Sequence, residues 1–268
     1  MHDRGFSLVE LSIVLVILGL LTGGILGGQA LIRAAELRSV QNDVQRYSAA
    51  ALTFRDKYFG LPGDITNATA FWGTDSAGCP NGAGATGTCN GNGDSYIGSS
   101  ATPSNFTNTC ENQEFWRQLG LAGLIEGRYT TRTGAQCYQS VTPGLDAPKL
   151  RIGQAAITIS QLGPVTSNAA FPGTVAFIGD YTNVFSLGGS SVNGAAGTAF
   201  LAPEELWNID TKMDDGRPAT GRVLSLYPGT YNPAAGANGC VTTNDAATAA
   251  YTLSNKAVSC GMLVKPSF

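Results

Sequence analysis

The chain has 268 residues, of which only 13% are charged, and its formal net charge is −3. It has no cluster of lysine and arginine, so nucleic acid is not an expected partner outside a role in DNA uptake. Its single histidine is His2, which excludes histidine-based catalytic triads and histidine-ligated metal sites from the rest of the chain. The 35 glycines favour a loop-rich body that contains β-structure over a helical bundle.

The first predicted element is an apolar helix. From Phe6 to Ile32 the sequence carries one charged residue, Glu10. About 20 apolar residues suffice to span a bilayer as a helix, so this segment is long enough. A removable secretory signal has a basic start, a shorter apolar core and a small-residue cleavage site, and this segment does not match that pattern.

Glu10 is unusual because a carboxylate within a membrane helix is costly and marks a functional position. In one interpretation Glu10 lies at the headgroup level and stays hydrated. In the other, cleavage between Gly5 and Phe6 creates a new amine on Phe6, four residues from Glu10. The amine of one subunit then neutralises the Glu10 carboxylate of its neighbour and selects the register between packed helices.

The segment Gly5–Leu11 (GFSLVEL) resembles the cleavage and methylation motif of type IV pilins and type II secretion pseudopilins. The resemblance implies that a prepilin peptidase removes residues 1–5 as a leader by cutting after Gly5. It also implies that the same enzyme methylates the amine of Phe6 and that Glu10 serves assembly. The motif covers only the first helix, about a fifth of the chain.

The resemblance further implies an α+β pilin-like fold, in which a long N-terminal helix packs against an antiparallel β-sheet of a loop-rich, disulfide-linked body. The implied partners are other pilin or pseudopilin subunits, the prepilin peptidase and an inner-membrane assembly platform. The implied location is the inner membrane, with the body in the periplasm, before assembly into an extracellular pilus or a periplasmic pseudopilus.

One departure from the family pattern concerns the middle of the membrane segment. Many family members have a proline there, whereas this chain has Gly23-Gly24 and Gly27-Gly28. Glycine lowers helix propensity by about 1 kcal/mol per residue, so these pairs permit local melting of the helix. The alternative is close helix–helix packing through small residues.

The helix is expected to continue beyond the membrane as an amphipathic segment over residues 33–58. Its apolar residues are spaced alternately by three and four, which predicts one continuous stripe that needs a partner surface. The sequence Gly60–Gly63 ends it. The expected organisation is a leader (1–5), a helix (6–58, with 6–32 in the membrane or filament core) and a globular body (59–268). The stripe consists of Leu37, Val40, Val44, Tyr47, Ala51, Phe54 and Tyr58.

The body is predicted to be a single α+β unit. A helix is expected over 111–125, and Pro203 is expected to open a second one. Strands are predicted at 155–160, 174–179, 182–187, 221–227 and 257–264, with a hairpin turn at Gly179-Asp180.

The six cysteines are even in number, lack a C-x-x-C pair and are widely spaced, which favours disulfides over zinc ligands. Small buried thiols are the alternative. Sequence neighbours suggest three pairs among the 15 pairings that six cysteines allow. These pairs are Cys79–Cys89, Cys110–Cys137 and Cys240–Cys260.

Two loops are candidates for calcium, and no other cofactor is expected. Asn90, Asn92 and Asp94 alternate with glycines, as at the start of an EF-hand loop, and Glu111 or Glu114 would complete the shell. The same alternation is ordinary turn chemistry. The second candidate is Asp210, Asp214 and Asp215, for which salt bridges to Lys212 and Arg217 are the alternative. Some pseudopilins carry a structural calcium site in a C-terminal loop.

The sequence predicts no enzyme, because it has no nucleophile with a plausible base and no phosphate-binding loop. The leading hypothesis is a major or minor structural subunit of a type IV pilus or a type II secretion pseudopilus. The alternative is a membrane-anchored binding module, such as a pilus-associated adhesin or a DNA-uptake minor pilin.

Overall fold

The computed structural model of the protein describes residues 8–79, 84–98, 110–130, 141–165, 170–171, 174–175, 177–190, 196–228, 239–243 and 245–268. The helices are α1 (Leu8–Tyr58), α2 (Ala68–Trp72), α3 (Glu111–Leu121) and α4 (Pro203–Met213). The strands are β1 (Ala156–Val165), β2 (Ala170–Phe171), β3 (Thr174–Val175), β4 (Gly179–Ser190), β5 (Ala196–Thr198), β6 (Val223–Pro228) and β7 (Gly261–Val264).

The long helix α1 ends in a turn that brings the chain back against the body. Phe59 takes the left-handed conformation (φ 60°), and its N–H donates to the carbonyl of Arg55 at 2.8 Å. Gly63 follows with a φ of 83° and donates its N–H to Oε1 of Gln118 at 2.7 Å. A side chain at Gly63 would overlap the backbone of Glu111, so the approach of this turn to α3 requires glycine.

The strands of the described residues pair antiparallel in the order β1-β4-β7-β6-β3-β2, with β5 beside β4. The first four of these strands form the main sheet. Side chains alternate between its two faces, as strand geometry requires. On β4, Phe185 belongs to the main core, whereas Val184 packs with Leu224 and Leu263 on the opposite face.

The main core lies between α1 and one face of the sheet, and α3 and α4 complete it. Tyr47 of α1 meets Trp116 of α3 edge to face at 5.1 Å between ring centroids, and Trp116 stacks on Phe185 of β4 at 5.9 Å. Five of the seven residues of the predicted stripe are fully or almost fully buried in this core, and the other two, Leu37 and Tyr58, pack against it partly buried. The prediction of a long helix packed against an antiparallel sheet is therefore confirmed.

Disulfides join Cys79 to Cys89 and Cys240 to Cys260, as the spacing of the cysteines suggested. The third expected pair involves Cys137, which lies outside the described residues. Cys240 and Cys260 are both fully buried, so this disulfide joins two otherwise irregular segments within the core.

The helix predicted over 111–125 ends at Leu121, the strand predicted over 257–264 begins at Gly261, and the predicted hairpin turn was wrong. Gly179 and Asp180 do not form a hairpin turn, because both lie within β4 and pair with Val165 and Pro164 of β1. The ladder between β1 and β4 extends through this dipeptide, so non-local pairing overrides its turn preference.

Candidate functional site

The N-terminal half of α1 is apolar and projects away from the body. Every residue from Leu8 to Ile32 except Gly28 is exposed, and the large apolar side chains of this segment are 50–85% exposed. Glu10 lies on this part of the helix, in its first turn. Gly5 and Phe6 lie outside the described residues.

An apolar surface of this length is not stable in water, since monomeric soluble proteins rarely expose apolar patches larger than a few hundred Å². The segment is long and apolar enough to cross a membrane by length and composition. It therefore needs lipid or other apolar helices around it.

The glycine pairs of this segment lie in open surroundings. Apart from the adjacent backbone of its own helix, a methyl group placed on Gly23, Gly24, Gly27 or Gly28 would meet no atom of the described chain within 4 Å. No contact with another part of the described chain requires glycine at these positions. Their purpose, whether helix opening or close packing, therefore concerns the surroundings of the helix.

A charged clamp marks the boundary between the exposed and the packed half of α1. Arg33 donates two hydrogen bonds to Glu205 of α4, at 2.5 and 2.8 Å, and a third to Glu36 at 3.0 Å. Glu205 also accepts the N–H of Ala202 at 2.9 Å and so caps α4. Burial, the largest single effect, opposes ionisation of Glu205, but the hydrogen bonds from Arg33 and the Ala202 N–H and the charge of Arg33 together lower the pKa of this carboxyl.

The first calcium candidate is a tightly hydrogen-bonded loop. Asn90 accepts the N–H of Thr69, Asn92 accepts the N–H of Asp94, and Asp94 accepts the N–H of Tyr96, each at 2.9 Å. The hydrogen bonds of Asn92 and Asp94 are local turn hydrogen bonds, whereas that of Asn90 joins the loop to the start of α2. These side chains are therefore used for backbone structure.

Asp64 and Glu111 hold this loop from outside. Asp64 accepts the backbone N–H groups of residues 93, 94 and 95, and Glu111 accepts those of Asn92 and Gly98, all within 3.1 Å. One carboxylate oxygen each of Asp64, Asp94 and Glu111 lies within 4.8 Å of the other two. Burial raises the pKa of Glu111 to about 7, against the opposing effect of its amide donors.

Sequence reasoning did not find Asp64, because it lies about 30 residues before the loop that it binds. The calcium assignment for Asn90, Asn92 and Asp94 stays a prediction. The hydrogen-bond donors present already satisfy the carboxylates that face this loop, so its geometry does not by itself require a cation.

The second calcium candidate follows α4. One carboxylate oxygen each of Asp210, Asp214 and Asp215 lies within 4.8 Å of the other two. Among the described residues no lysine or arginine side chain forms an ion pair with this cluster, although Asp214 accepts the backbone N–H groups of Arg222 and Val223.

Asp210 is the exceptional member of this cluster. It is fully buried, its Oδ2 accepts the hydroxyl of Tyr251 at 2.8 Å, and its Oδ1 has no hydrogen-bond partner. Burial raises the pKa of Asp210 to about 7, against the opposing effects of the Tyr251 hydroxyl and the Gly216 N–H, and the neighbouring carboxylates Asp215 and Asp214 raise it further. A buried carboxylate oxygen without a partner is rare in folded proteins and requires an explanation.

A third charged group was not predicted. Arg117 of α3 forms ion pairs with Asp75 and with Glu114, at 3.5 Å for Glu114, and donates to the carbonyl of Gly84 at 2.9 Å. Glu114 in turn accepts the hydroxyl of Thr88 at 2.6 Å. This buried network ties α3 to the loop that contains the Cys79–Cys89 disulfide. Within the described chain its carboxylates and its guanidinium pair with one another, so these contacts hold the loop against α3.

Comparison with known families connects these features. Residues 1–26 match the family model described as the prokaryotic N-terminal methylation motif, which is typical of type IV pilins and pseudopilins. The comparison with curated proteins and the comparison with solved structures each gave no match. The motif and the pilin-like α+β fold define a prepilin-like protein, a class of proteins that are typically not enzymes.

Proposed function

We propose that this chain is a structural subunit, major or minor, of a type IV pilus or a type II secretion pseudopilus. A prepilin peptidase cuts it after Gly5 and methylates Phe6, and the subunit then assembles through α1. The observation that carries the proposal is the continuity of one helix, which is exposed and apolar over Leu8–Ile32 and packed into the body from Val40 onward.

This arrangement suits a protein that moves from a membrane into a filament. The apolar half of α1 loses nothing when neighbouring helices replace lipid, since both surroundings are apolar. Glu10 then distinguishes a correct neighbour from an incorrect one. A carboxylate in an apolar medium is costly unless it is paired, and the new amine of Phe6 on an adjacent subunit supplies that pairing.

The first test is processing. The full-length chain is produced with and without an active prepilin peptidase, and its intact mass and N-terminal sequence are measured. Loss of residues 1–5 and a methyl group on Phe6 are expected only with the peptidase. A chain that keeps Met1 while a control prepilin is cut would contradict the proposal.

The second test is assembly. Glu10→Gln is expected to leave processing intact and to reduce the amount of sheared filament. Asp56→Asn is the matched control, because Asp56 is an exposed carboxylate on the same helix, within its packed half. Equal filament yield from both variants would remove the proposed pairing of Glu10.

The alternative, a membrane-anchored binding module, makes a different prediction for a deletion strain. A binding module leaves filaments intact and abolishes adhesion or DNA uptake. A filament subunit changes the amount of filament or the release of secreted proteins. The body is large, since it comprises residues 59–268, and its size supports this alternative.

For the body we propose a structural cation site at Asp210, Asp214 and Asp215. The support is the buried oxygen of Asp210 without a partner, beside two further carboxylates. Calcium binds six to eight oxygen ligands and favours carboxylates, so this donor set fits it. The expected role is to hold the loop after α4 against β6, and a bound cation stabilises the folded subunit by mass action.

Thermal unfolding with calcium or with a chelator tests this site. Calcium is expected to raise the melting temperature of the natural chain and not that of Asp215→Asn, which changes an exposed member of the cluster. Asp94→Asn, in the first loop, is the control and is expected to keep the calcium effect. A transition that a chelator leaves unmoved would exclude both loops as calcium sites.

A further inference from the structure

A groove runs between α1 and α4 just beyond the apolar segment. Its volume is about 710 Å³, and its described lining includes Ala34, Leu37 and Ile209 as an apolar floor. The small side chain of Ala34 leaves room between the two helices. We call this feature the membrane-proximal groove.

The polar lining of the membrane-proximal groove is cationic. Arg38 and Lys212 line it together with the amides of Gln41 and Asn208, and no acidic residue is among its described lining. Neither Arg38 nor Lys212 forms an ion pair with a described carboxylate. The neighbouring Arg33 is different, since Glu36 and Glu205 neutralise it.

The position of the groove along α1 matches the surface of a bilayer. Arg38 lies six residues beyond Ile32, which is about 9 Å along a helix at 1.5 Å per residue. The polar headgroup layer adds roughly 5 to 8 Å to the hydrocarbon core on each side. A helix whose apolar segment fills the core therefore places the Arg38 backbone at the outer edge of the headgroup layer, within reach of the lipid phosphates for a long cationic side chain. Lys212 lines the same groove.

We propose that the membrane-proximal groove binds the phosphate group of an anionic phospholipid while the subunit resides in the membrane. Arg38 and Lys212 supply the charge, Gln41 supplies N–H donors, and the apolar floor contacts the upper part of the lipid. The site would hold α4, and with it the body, at the membrane surface before assembly. This inference rests on the membrane anchor in the proposed function.

The experiment measures lipids retained by the full-length protein. The chain is purified in mild detergent, supplied with phosphatidylglycerol or phosphatidylcholine, and examined by native mass spectrometry. We expect one phosphatidylglycerol to be retained preferentially. Each cation near an anionic lipid surface contributes about 1 kcal/mol, so two cations correspond to about a 30-fold change in affinity for the lipid. The double variant Arg38→Gln/Lys212→Gln is expected to lose this affinity.

The matched control is Arg55→Gln/Lys57→Gln, which removes two exposed cations from the far end of α1 and is expected to retain the lipid. Equal retention of both lipids by the natural chain, or full retention by the Arg38/Lys212 variant, would overturn the proposal. Displacement of the lipid by inorganic phosphate would also overturn it, because the site would then bind free phosphate and not a membrane lipid.

Oligomeric state and membrane insertion are measured on the same samples. A change in oligomeric state without a change in lipid retention in the Arg38/Lys212 variant would assign the groove to contacts between copies of the chain and overturn the lipid site. Membrane fractionation of the natural chain tests the anchor independently. A chain that fails to enter the membrane contradicts the proposed function, whereas an inserted chain without lipid preference contradicts only the groove.

Discussion

The two halves of α1 belong to one continuous helix but have opposite surroundings. Residues 8–32 are exposed apart from the half-buried Gly28, whereas five residues of the packed half are at most 3% exposed, namely Val40, Val44, Tyr47, Ala51 and Phe54. The sequence shows the same contrast, since the first half is apolar all round and the second half has an apolar stripe. A helix that is apolar on every face has its partners outside the subunit, and a helix with one stripe finds its partner within it.

The clamp of Arg33 with Glu205 lies between the exposed half and the packed half of α1. The packed half of α1 contributes to the stability of the body, and the exposed half contributes to membrane residence and assembly. Substitutions in the two halves should therefore change different measurements.

The largest expected effect is in the packed half. Phe54→Ala removes a fully buried ring that packs with Tyr58 and Trp72, and we expect it to lower the free energy of unfolding by about 3–5 kcal/mol. Urea unfolding of the full-length chain in mild detergent, followed by tryptophan fluorescence, measures this. Leu21→Ala, in the exposed half, is the control and should change it by less than about 0.5 kcal/mol. Similar losses in the free energy of unfolding for Phe54→Ala and Leu21→Ala would contradict the distinction between the packed and the exposed half of α1.

The next effect concerns pH and lies in the body alone. Burial raises the pKa of Glu114 to about 7 from its ordinary 4.5, against the opposing effects of Thr88 and Arg117. The folded state thus holds this proton more tightly than the unfolded state. The associated stability is complete below pH 4.5 and is lost as the pH rises through 7.

Glu114→Gln should remove this loss, so that the natural chain loses about 2 kcal/mol more than the variant between pH 5 and pH 8. Unfolding measured across this range tests the expectation. Glu114 is also faced by Asp75, by Arg117 and by the Cys89 N–H. The pKa of Glu111 is raised as well, so the stability of the variant keeps the pH dependence that Glu111 contributes. Glu126→Gln changes an exposed carboxylate and should leave the profile unchanged. Parallel profiles of stability against pH for the natural chain and Glu114→Gln would contradict the assignment of this pH dependence to Glu114.

A smaller effect is expected at the boundary. The bidentate pair of Arg33 and Glu205 is half-buried, so a double-mutant cycle should give a coupling of about 1 kcal/mol. The neighbouring pair of Lys256 and Glu204 has side chains that are 70% and 52% exposed, and its coupling should be near zero. Equal couplings would show that the clamp is an ordinary surface pair and does not mark the boundary.

The smallest effect on the body is expected for Gly23→Ala combined with Gly27→Ala. The added methyl groups meet no other part of the described subunit, so the unfolding of the body should not change. Alanine stabilises a helix by about 1 kcal/mol per position relative to glycine, and its side chain is still small. If the glycines permit local melting, filament yield should fall. If they permit close packing, alanine should be tolerated and Gly23→Leu should block assembly.

Much of the fold follows from periodicity in the sequence. The alternate spacing of three and four from Leu37 to Tyr58 correctly predicted the packed stripe, because a helix turns by a fixed angle per residue. Pro203 correctly predicted the start of α4, since proline fits the first turn of a helix. These signals are local, so a single sequence contains them.

What could not be predicted depends on contacts between distant segments. The hairpin at Gly179-Asp180 was wrong because β1 continues the ladder through it. Asp64 was missed because only the turn after α1 brings it to residues 93–95. Helix α3 buries polar residues, among them Glu111, Glu114 and Arg117, and a pattern that separates apolar from polar faces does not predict such burial.

The place of β7 in the sheet has a consequence for the order of biogenesis. It is the last described strand in chain order, yet it lies between β4 and β6, and the adjacent Cys260 forms the disulfide with Cys240. In the proposed topology the body crosses the membrane after α1, so β4 and β6 have no strand between them until residues 261–264 have been translocated. Folding of the main sheet is therefore post-translocational, and a chain still held in the export channel cannot yet present a finished body to a growing filament.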